Sequence, residues 1–459
     1  MKSVAFHNLG CKVNSYEMDV MQQFLQKRGY EIVSFEQKAD IYIINTCTVT
    51  NMADRKSRQM IHRAKKQNPD AIVVAVGCYV QTASERIEED DCIDLAIGNN
   101  RKKDIVAIVE EFLARRRDAS GGEGGVGALD KTLSGTTVLD IAKEQEYEEM
   151  QMETTAEHTR AYIKVQDGCN QFCSYCVIPY ARGRVRSRKP EHVVEEVRAL
   201  AKAGYKEVVL TGIHLSSYGL DFRGEAYNVT QSSDLLELIE KVHEVEGICR
   251  IRLGSLEPRI VTEEFAKRLS GMPKICPHFH LSLQSGCDSV LVRMNRRYTC
   301  AEFAEGVRIL REYFEHPAIT TDVITGFPGE TEEEFAQTVD FLEKIRFFEM
   351  HVFPYSRREG TVAANMPDQL TEKVKKERSA RLLEMDREHS RAYREYYIGR
   401  NLQVLVEQKQ MIEGREYYVG HTPDYVKVAV LSAEDIINRE VCCLATDMLC
   451  EDTVFAQKN

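Results

Sequence analysis

Residues 166–188, QDGCNQFCSYCVIPYARGRVRSR, place Cys169, Cys173 and Cys176 within eight positions and run on into arginines. A C-x3-C-x2-C run offers three thiolates, one fewer than a closed structural zinc site takes. Nor is it the C-x2-C-x2-C-x3-C-P spacing of two-cluster ferredoxins. Three ligands on a cubane iron–sulfur cluster leave the fourth iron open to another molecule. A second set, Cys11, Cys47 and Cys78, is spread over the first eighty residues, each at the carboxyl end of a short β-branched run. In a parallel sheet those ends share one edge, where ligand sites form. Buried cysteine is common in strands, so this second set gains its meaning from the first.

The elements that must position these thiols follow from periodicity. Residues 3–10, 39–47 and 71–78 read as strands and residues 14–28 and 51–67 as helices between them, which predicts a doubly wound parallel sheet over 1–115. Residues 116–158 are Gly/Ser-rich and then acidic, the composition of a linker with at most one marginal helix. From 159 to 395 the alternation resumes. Six strand candidates (160–169, 207–213, 250–256, 278–284, 318–329 and 348–355) predict a partial (βα)6 barrel with its ligands at the strands' carboxyl ends, and 370–397 reads as one charged helix. Thr331 followed by Glu334 reads as a helix-capping box. Short strands and turn residues over 396–459 predict a small antiparallel β-barrel.

The 459 residues, 43% hydrophobic, suffice for two to four domains. The amino-terminal residues have no apolar core or cleavage site of a signal peptide, and no run approaches 18 apolar residues; the expectation is a cytoplasmic protein without a membrane partner. In a reducing compartment fourteen cysteines speak for metal or cluster ligation, not for a disulfide framework. Cys92, Cys249, Cys276, Cys287, Cys300, Cys442, Cys443 and Cys450 lack partners at ligand spacing and read as small buried hydrophobes. The net charge of −11 is unevenly placed: residues 118–160 hold ten acidic and three basic residues and supply most of it. Two basic strips stand out instead, one following Cys176 (Arg182, Arg184, Arg186, Arg188, Lys189) and one following Cys47 (Arg55, Lys56, Arg58, Arg63, Lys65, Lys66). Each abuts a cysteine set, which favours a polyanion reaching the space beside them. The carboxyl-terminal barrel, with six basic and ten acidic residues from 398 onward, offers RNA only a local face: Arg415, Tyr417, Tyr418, His421, Tyr425 and Lys427.

"GCNQFCSYC" resembles the radical S-adenosylmethionine (SAM) enzymes. With "LGCKVNSYEMD", "NTCTVT" and "VGCYVQ" around the other three cysteines, and "TGIHLSSYG", "RLGSLEP", "HLSLQSGCDSVLVRMNRRYT", "TDVITGFPGETEEEF" and "FPYSRREGTVAANM" further on, nearly the whole chain resembles the methylthiotransferases. The resemblance implies that Cys169, Cys173 and Cys176 hold the 4Fe–4S cluster that cleaves SAM, and that Cys11, Cys47 and Cys78 hold an auxiliary 4Fe–4S cluster. A radical then takes hydrogen from carbon 2 of an adenine, sulfur is inserted, and a second SAM supplies the methyl group. The last ~60 residues are similar to the family's RNA-binding TRAM domain. "GIHLSSYG" and "LSLQSGCD" are closest to the branch acting on N6-threonylcarbamoyladenosine beside the tRNA anticodon.

The same resemblance makes Thr211, Gly212, Ser255, Glu257, Gln284, Asp322 and Gly326, all at or after barrel strands, candidates for SAM, ribose or substrate contacts. His214, Ser216, Ser217, Arg357 and Arg358 are candidates for the polar substituent of the adenine, and Arg55, Arg58, Arg63, Arg182, Arg184 and Arg186 for RNA phosphates. An electron donor of flavodoxin or ferredoxin type is implied; the sulfur donor is not. The competing readings are methylthiolation of isopentenyladenosine or of a ribosomal protein, and a non-catalytic iron–sulfur carrier or RNA-binding module.

Overall fold

The computed structural model describes residues 2–120, 135–152, 159–223 and 233–458. Residues 121–134 and 153–158, which hold much of the expected linker, lie outside them. The chain divides into two compact units, and compactness groups residues otherwise than composition does. The first unit takes in residues 1–155 together with 166–188 and 356–361; the second takes in 156–165, 189–355 and 362–459.

The first unit is built on a six-stranded sheet of β1 (Ser3–Asn8), β2 (Glu31–Val33), β3 (Ile41–Thr46), β4 (Ile72–Gly77), β5 (Leu95–Ile97) and β6 (Gly135–Thr137). Its order is β2-β1-β3-β4-β5-β6 and every pairing is parallel. All six residues of β3 (IYIINT) and of β4 (IVVAVG) are buried, as expected of parallel strands covered on both faces. The chain runs outward from β1 to β2 and then crosses back to β3, so the topological switch point lies between β1 and β3. Strands β1, β3 and β4 match the expected ones; β2, β5 and β6 are three residues each, too short to show a period. Within the stretch read as a linker, β6 extends the sheet. Residues 139–152 are then tied down: Gln81 Nε2 donates to Leu139 O (2.8 Å), Lys103 N to Glu148 Oε1 (2.9 Å), and Met150 and Met152 are buried.

The second unit carries the six barrel strands in their expected places: β7 (Arg160–Asp167), β9 (Glu207–Gly212), β10 (Arg250–Leu253), β11 (His278–His280), β12 (Ala318–Thr325) and β13 (Glu349–Pro354); the short β8 (Arg186–Ser187), which follows β7 along the chain, lies in the first unit. The strands run β10-β9-β7 and β11-β12-β13, joined by parallel bridges Ile251↔Ile275 and Leu256↔Leu281. The last two residues of β7 pair with β8 and belong to the first unit. Amphipathic helices back the strands; Pro190–Lys202 buries Val193, Val194, Val197 and Leu200, the i, i+4, i+7 stripe of a core-facing helix. The expected capping box is formed, Thr331 Oγ1 accepting from Glu334 N at 3.2 Å. Helix Glu372–Glu395 is the expected charged helix.

Strands β14 (Asn401–Ile412), β15 (Arg415–His421), β16 (Lys427–Val430), β17 (Glu440–Cys450) and β18 (Thr453–Lys458) close into a barrel, antiparallel except for the parallel β16–β18 pair. Its core is Val404, Val406, Val428, Val430, Ala445, Val454 and Ala456. Buried charge seats it on the amino ends of the strands of this unit. Arg252 Nε donates to Glu207 Oε1 (2.7 Å) and its Nη1 to Pro423 O (2.8 Å); Arg160 pairs with Glu207 and Glu407 (2.7 and 2.6 Å); Arg250 donates to Glu440 and to His421 O (2.7 and 2.8 Å). Tyr425 lies under the Arg160 and Arg252 guanidiniums and stacks on His278 (4.8 Å) and His421 (4.6 Å). His421 and Tyr425 are therefore an internal contact, a correction to their reading as base-stacking residues: an aromatic ring between two guanidiniums is already fully used. Tyr417 and Tyr418 are buried, and His421 and Tyr425 are half-buried. Among the described residues, no helix is long and apolar enough to cross a membrane.

Candidate functional site

In the first unit the three spread cysteines stand at the carboxyl ends of three strands of one parallel sheet. Cys11 caps helix Lys12–Lys27 after β1, Cys47 follows β3, and Cys78 opens helix Cys78–Thr82 after β4. Strands β1, β3 and β4 are consecutive in the sheet, so their ends are spaced by about 5 Å per strand. Gly10 (φ +115°) leaves no room for a side chain: a Cβ there would lie 3.2 Å from Cys47 Sγ and 2.9 Å from Asn14 Nδ2. Asn14 ties two of these ends together, donating to Leu9 O (2.7 Å) and Thr46 O (3.0 Å). Cys47 and Cys78 are buried; Cys11 is exposed as a residue, though its thiol is shielded enough for burial to raise it. Burial pushes the Cys47 thiol up to about 11, and the neighbouring Cys78 and Cys11 add to the rise, while Val49 N–H and Arg182 oppose it. Burial also raises the Cys11 thiol, and thiols held neutral in this way fit a cationic centre that would ionise and share them.

The clustered cysteines sit in the same unit, on the irregular loop that follows β7. Gly168 (φ +70°) is obligatory there, since a Cβ would fall 1.8 Å from Arg184 O. Cys169 N donates to Gly183 O (3.0 Å), Gln171 N points at Cys169 Sγ (3.5 Å), Cys176 N donates to Cys173 O (3.0 Å), and Phe172 takes a left-handed φ of +49°. No cysteine of the chain is in a disulfide. The loop that carries the three cysteines is thus fixed by its own backbone and by the Gly183–Arg184 segment packed against it. Gly168→Ala is expected to lower iron loading from about eight to about four per chain without unfolding the sheet, read as iron content with an unchanged far-UV circular dichroism spectrum; full loading removes the steric account.

The arginines that follow are not a surface strip, which corrects the expectation for Arg182 and Arg186. Arg182, Arg186 and Arg188 are buried. Arg182 Nε donates to Cys78 Sγ (3.3 Å), Nη1 to Glu17 Oε1 (2.8 Å) and Asp167 Oδ1 (3.2 Å), and Nη2 to Asn14 Oδ1 (2.6 Å) and Glu17 Oε2 (2.9 Å). Arg186 donates to Arg182 O (2.9 Å), and Arg188 to Glu149 Oε1 (2.6 Å). Their carboxylate partners are remote in sequence, so a local count of charge misses the neutralisation. Arg184 alone of the four is exposed, over the Phe172 ring at 4.4 Å. On helix Asn51–Gln67, Arg55 and Arg58 are exposed, whereas Arg63 pairs with Glu36.

Arg358 is corrected likewise. It is buried in the first unit, donating to Asp54 Oδ2 (2.6 Å), Asn51 Oδ1 (2.8 Å) and Thr48 Oγ1 (2.8 Å), and a guanidinium so engaged has no fork left for a ligand carboxylate. Arg357 is exposed.

The second unit holds the remaining candidates. Thr211 and Gly212 end β9. Ser216 and Ser217 are buried and engaged, Ser216 Oγ accepting from Glu257 N (2.8 Å) and Ser217 Oγ bonding His214 Nδ1 (2.6 Å); both hydroxyls shape the loop, a correction to their reading as substituent contacts. Burial holds the His214 pKa down to about 4, Glu257 opposing and Arg296 and Arg259 assisting, so the ring is neutral at pH 7. Ser255 is exposed, and Glu257 is buried and bound to Arg259. Gln284 is held at a φ of +71° by its backbone bonds to Asp322 O (2.8 Å) and from Ile324 N (2.9 Å), a strained conformation of the kind that gathers at ligand sites. Asp322 faces His280 at 3.3 Å, and His351 completes a polar trio on β11, β12 and β13. Gly326 (φ +70°) is needed by its own backbone and by Lys375, whose Cγ lies 2.4 Å from a Cβ placed there.

Sequence reasoning missed Asn14, Glu17, Lys102, Asn99 and Asp167. A signal existed for two of them: Asn14 and Glu17 fall on the helical face whose neighbours Val13, Tyr16, Val20 and Met21 are buried, and polar residues on an apolar stripe call for partners.

Set beside known proteins, residues 163–342 match the model of the radical SAM superfamily and residues 3–98 that of an uncharacterized protein family, UPF0004. The radical SAM methyltransferase TsrM of Kitasatospora setae shares the fold, with a TM-score of 0.54 at 19% identity over 77% of this chain and 75% of that one. The threonylcarbamoyladenosine tRNA methylthiotransferase MtaB of Bacillus subtilis is 41% identical over 96% of this chain and 93% of its own. The tRNA-2-methylthio-N(6)-dimethylallyladenosine synthase of Moorella thermoacetica is 36% identical over 87% and 85%. A partial barrel with a C-x3-C-x2-C loop defines a radical SAM enzyme, one that works with a 4Fe–4S cluster and SAM. Within that class, the chain belongs to the methylthiotransferase family.

Proposed function

We propose that this enzyme converts N6-threonylcarbamoyladenosine in tRNA to its 2-methylthio derivative. The observation that carries the reading is the gathering of both cysteine sets in one compact unit, in a chain 41% identical to a relative named for that reaction. Cys169, Cys173 and Cys176 would hold the SAM-cleaving cluster, and Cys11, Cys47 and Cys78 a second 4Fe–4S cluster. Bound together, these cofactors supply hydrogen abstraction from the adenine ring, sulfur insertion and methyl transfer. The protein's part is to hold and shield them. Gly10 and Gly168 admit close backbone approach, and Asn14 locks two strand ends. An electron donor of flavodoxin or ferredoxin type and a separate sulfur source complete the reaction. The carboxyl-terminal barrel is proposed as a TRAM-type RNA-binding domain, and the cytoplasm as the site of action.

The second reading, isopentenyladenosine as substrate, is favoured by the 36% identity to a relative named for the corresponding synthase. With Ser216, Ser217 and Arg358 engaged internally, the choice between the substituents rests on the relatives. Reconstituted enzyme given SAM, reductant and sulfide is expected to methylthiolate tRNA bearing the threonylcarbamoyl group and to leave plain adenosine or isopentenyladenosine nearly untouched. Nucleoside mass spectrometry decides, and a preference for isopentenyladenosine would falsify the branch.

The exposed Arg55 and Arg58, beside Cys47 on helix Asn51–Gln67, are the proposed phosphate contacts of this unit. Neutralising both is expected to weaken tRNA binding and to lower the slope of log K against log salt by about 2, one counterion per phosphate lost. SAM cleavage without tRNA stays unchanged. An unaltered slope makes them an ordinary solvated helix face.

A further inference from the structure

We infer that Arg182 is a positioning residue for Cys78 that sets the reduction potential of the cluster held by Cys11, Cys47 and Cys78. The inference rests on the proposed second cluster and asks what the chain does to it. Cys78 receives two side-chain donors, Arg182 Nε at 3.3 Å and Asn99 Nδ2 at 3.5 Å. Asn99 is itself fixed by donating to Ala181 O at 2.7 Å, next to Arg182.

Among the described residues, the buried charges here do not balance without an anion at the sulfurs. Arg182, Lys102 and Arg186 face Glu17 and Asp167: Lys102 pairs with Glu17, Arg182 with both carboxylates, and Arg186 with Asp167 at 3.8 Å. All five side chains are at most 3% exposed, so water does not make up the difference. Three cations against two carboxylates leave one positive charge over, and a buried unpaired cation is strongly destabilising. A thiolate-ligated cluster supplies the missing negative charge. Donors to a ligand sulfur and a positive surplus both favour the more negative, reduced state, which raises the potential. Only a guanidinium meets the geometry: its planar fork reaches Cys78, Glu17, Asp167 and Asn14 at once, and a lysine ammonium is a single point. Arg182 also comes from the segment that carries the other cysteine set, so the two sets are fastened to each other through it.

The test isolates the second cluster by replacing Cys169, Cys173 and Cys176 with Ala, and follows iron content, thermal unfolding and an electron paramagnetic resonance-monitored redox titration. In that background Arg182→Lys is expected to keep its iron while its midpoint falls by about 59 mV, a tenfold lower ratio of reduced to oxidised cluster at the parent midpoint. Asn99→Ala is expected to move the midpoint the same way by less. Iron-bearing variants with the parent's midpoint, whatever their unfolding temperatures, overturn the inference and make Arg182 a structural ion pair. Should Arg182→Lys lose the fold or the iron, Asn99→Ala decides by the same midpoint criterion. A background protein that binds no iron overturns the second cluster itself, a separate result.

Discussion

Cys47→Ala enzyme, reconstituted anaerobically with iron and sulfide, is expected to hold about four irons per chain where the parent holds about eight. It should still cleave SAM to 5′-deoxyadenosine on reduction but form no methylthiolated nucleoside. Cys173→Ala should lose both activities. Cys47 is 8% exposed and its backbone is fixed at both ends by Ser57 Oγ (3.3 and 3.2 Å), so removing its sulfur takes away a ligand that no mobile side chain replaces. The Cys47→Ala change leaves the Cys169, Cys173 and Cys176 loop intact, because that loop is held by Gly183 O and by its own backbone. Methylthiolated product from Cys47→Ala would mean that the first three cysteines are structural.

Glu207→Ala is expected to release the carboxyl-terminal barrel. Glu207 is fully buried and shared by Arg160, Arg252 and Arg250. Removing it leaves the buried Arg252 without its carboxylate, while Arg160 keeps Glu407 and Arg250 keeps Glu440, at a cost of about 4 kcal/mol. Amide exchange in β15 and β16 should then lose protection by about three orders of magnitude, while β3 and β4 stay protected. The same residue predicts an acid limb. Burial alone would raise its carboxyl, but Arg252, Arg160 and Arg250 bring it down to about 2 from an ordinary 4.5. A depressed carboxylate contributes stability above its unfolded pKa and loses it as pH falls, here from about 4.5 through about 2. Asp424, held up to about 6 by burial, works the other way, its contribution fading as pH rises from 3.8 through 6. Glu207→Ala should shrink the acid limb to the part owed to Glu407 and Asp452, which are also held down despite burial; barrel protection that falls equally in parent and variant between pH 4.5 and 2 would reject the assignment.

The sequence alone determined the radical SAM loop, the six barrel strands, the doubly wound order of the first unit and the three cysteines at its strand ends. These are properties of spacing and period: three thiols within eight residues, or a buried β-branched run closed by cysteine, carry their meaning locally. The TsrM fold match and the methylthiotransferase relatives agree with that architecture. What only the tertiary structure decided is where each charge goes. "ARGRVRSR" is basic as a string, yet Arg182, Arg186 and Arg188 are interior because Glu17, Asp167 and Glu149 meet them there. Arg358 is spent on Asp54, 304 residues away in sequence. Residues 139–152 read as a solvated linker, but Glu148 and Glu149 close bonds on the first unit. The short strands β2, β5 and β6 exist only because longer neighbours offer them an edge. Hydrophobic period is a one-dimensional signal, whereas ion pairing depends on which distant segments become neighbours. Burial then multiplies the worth of a charge by removing water, a step no count along the chain contains.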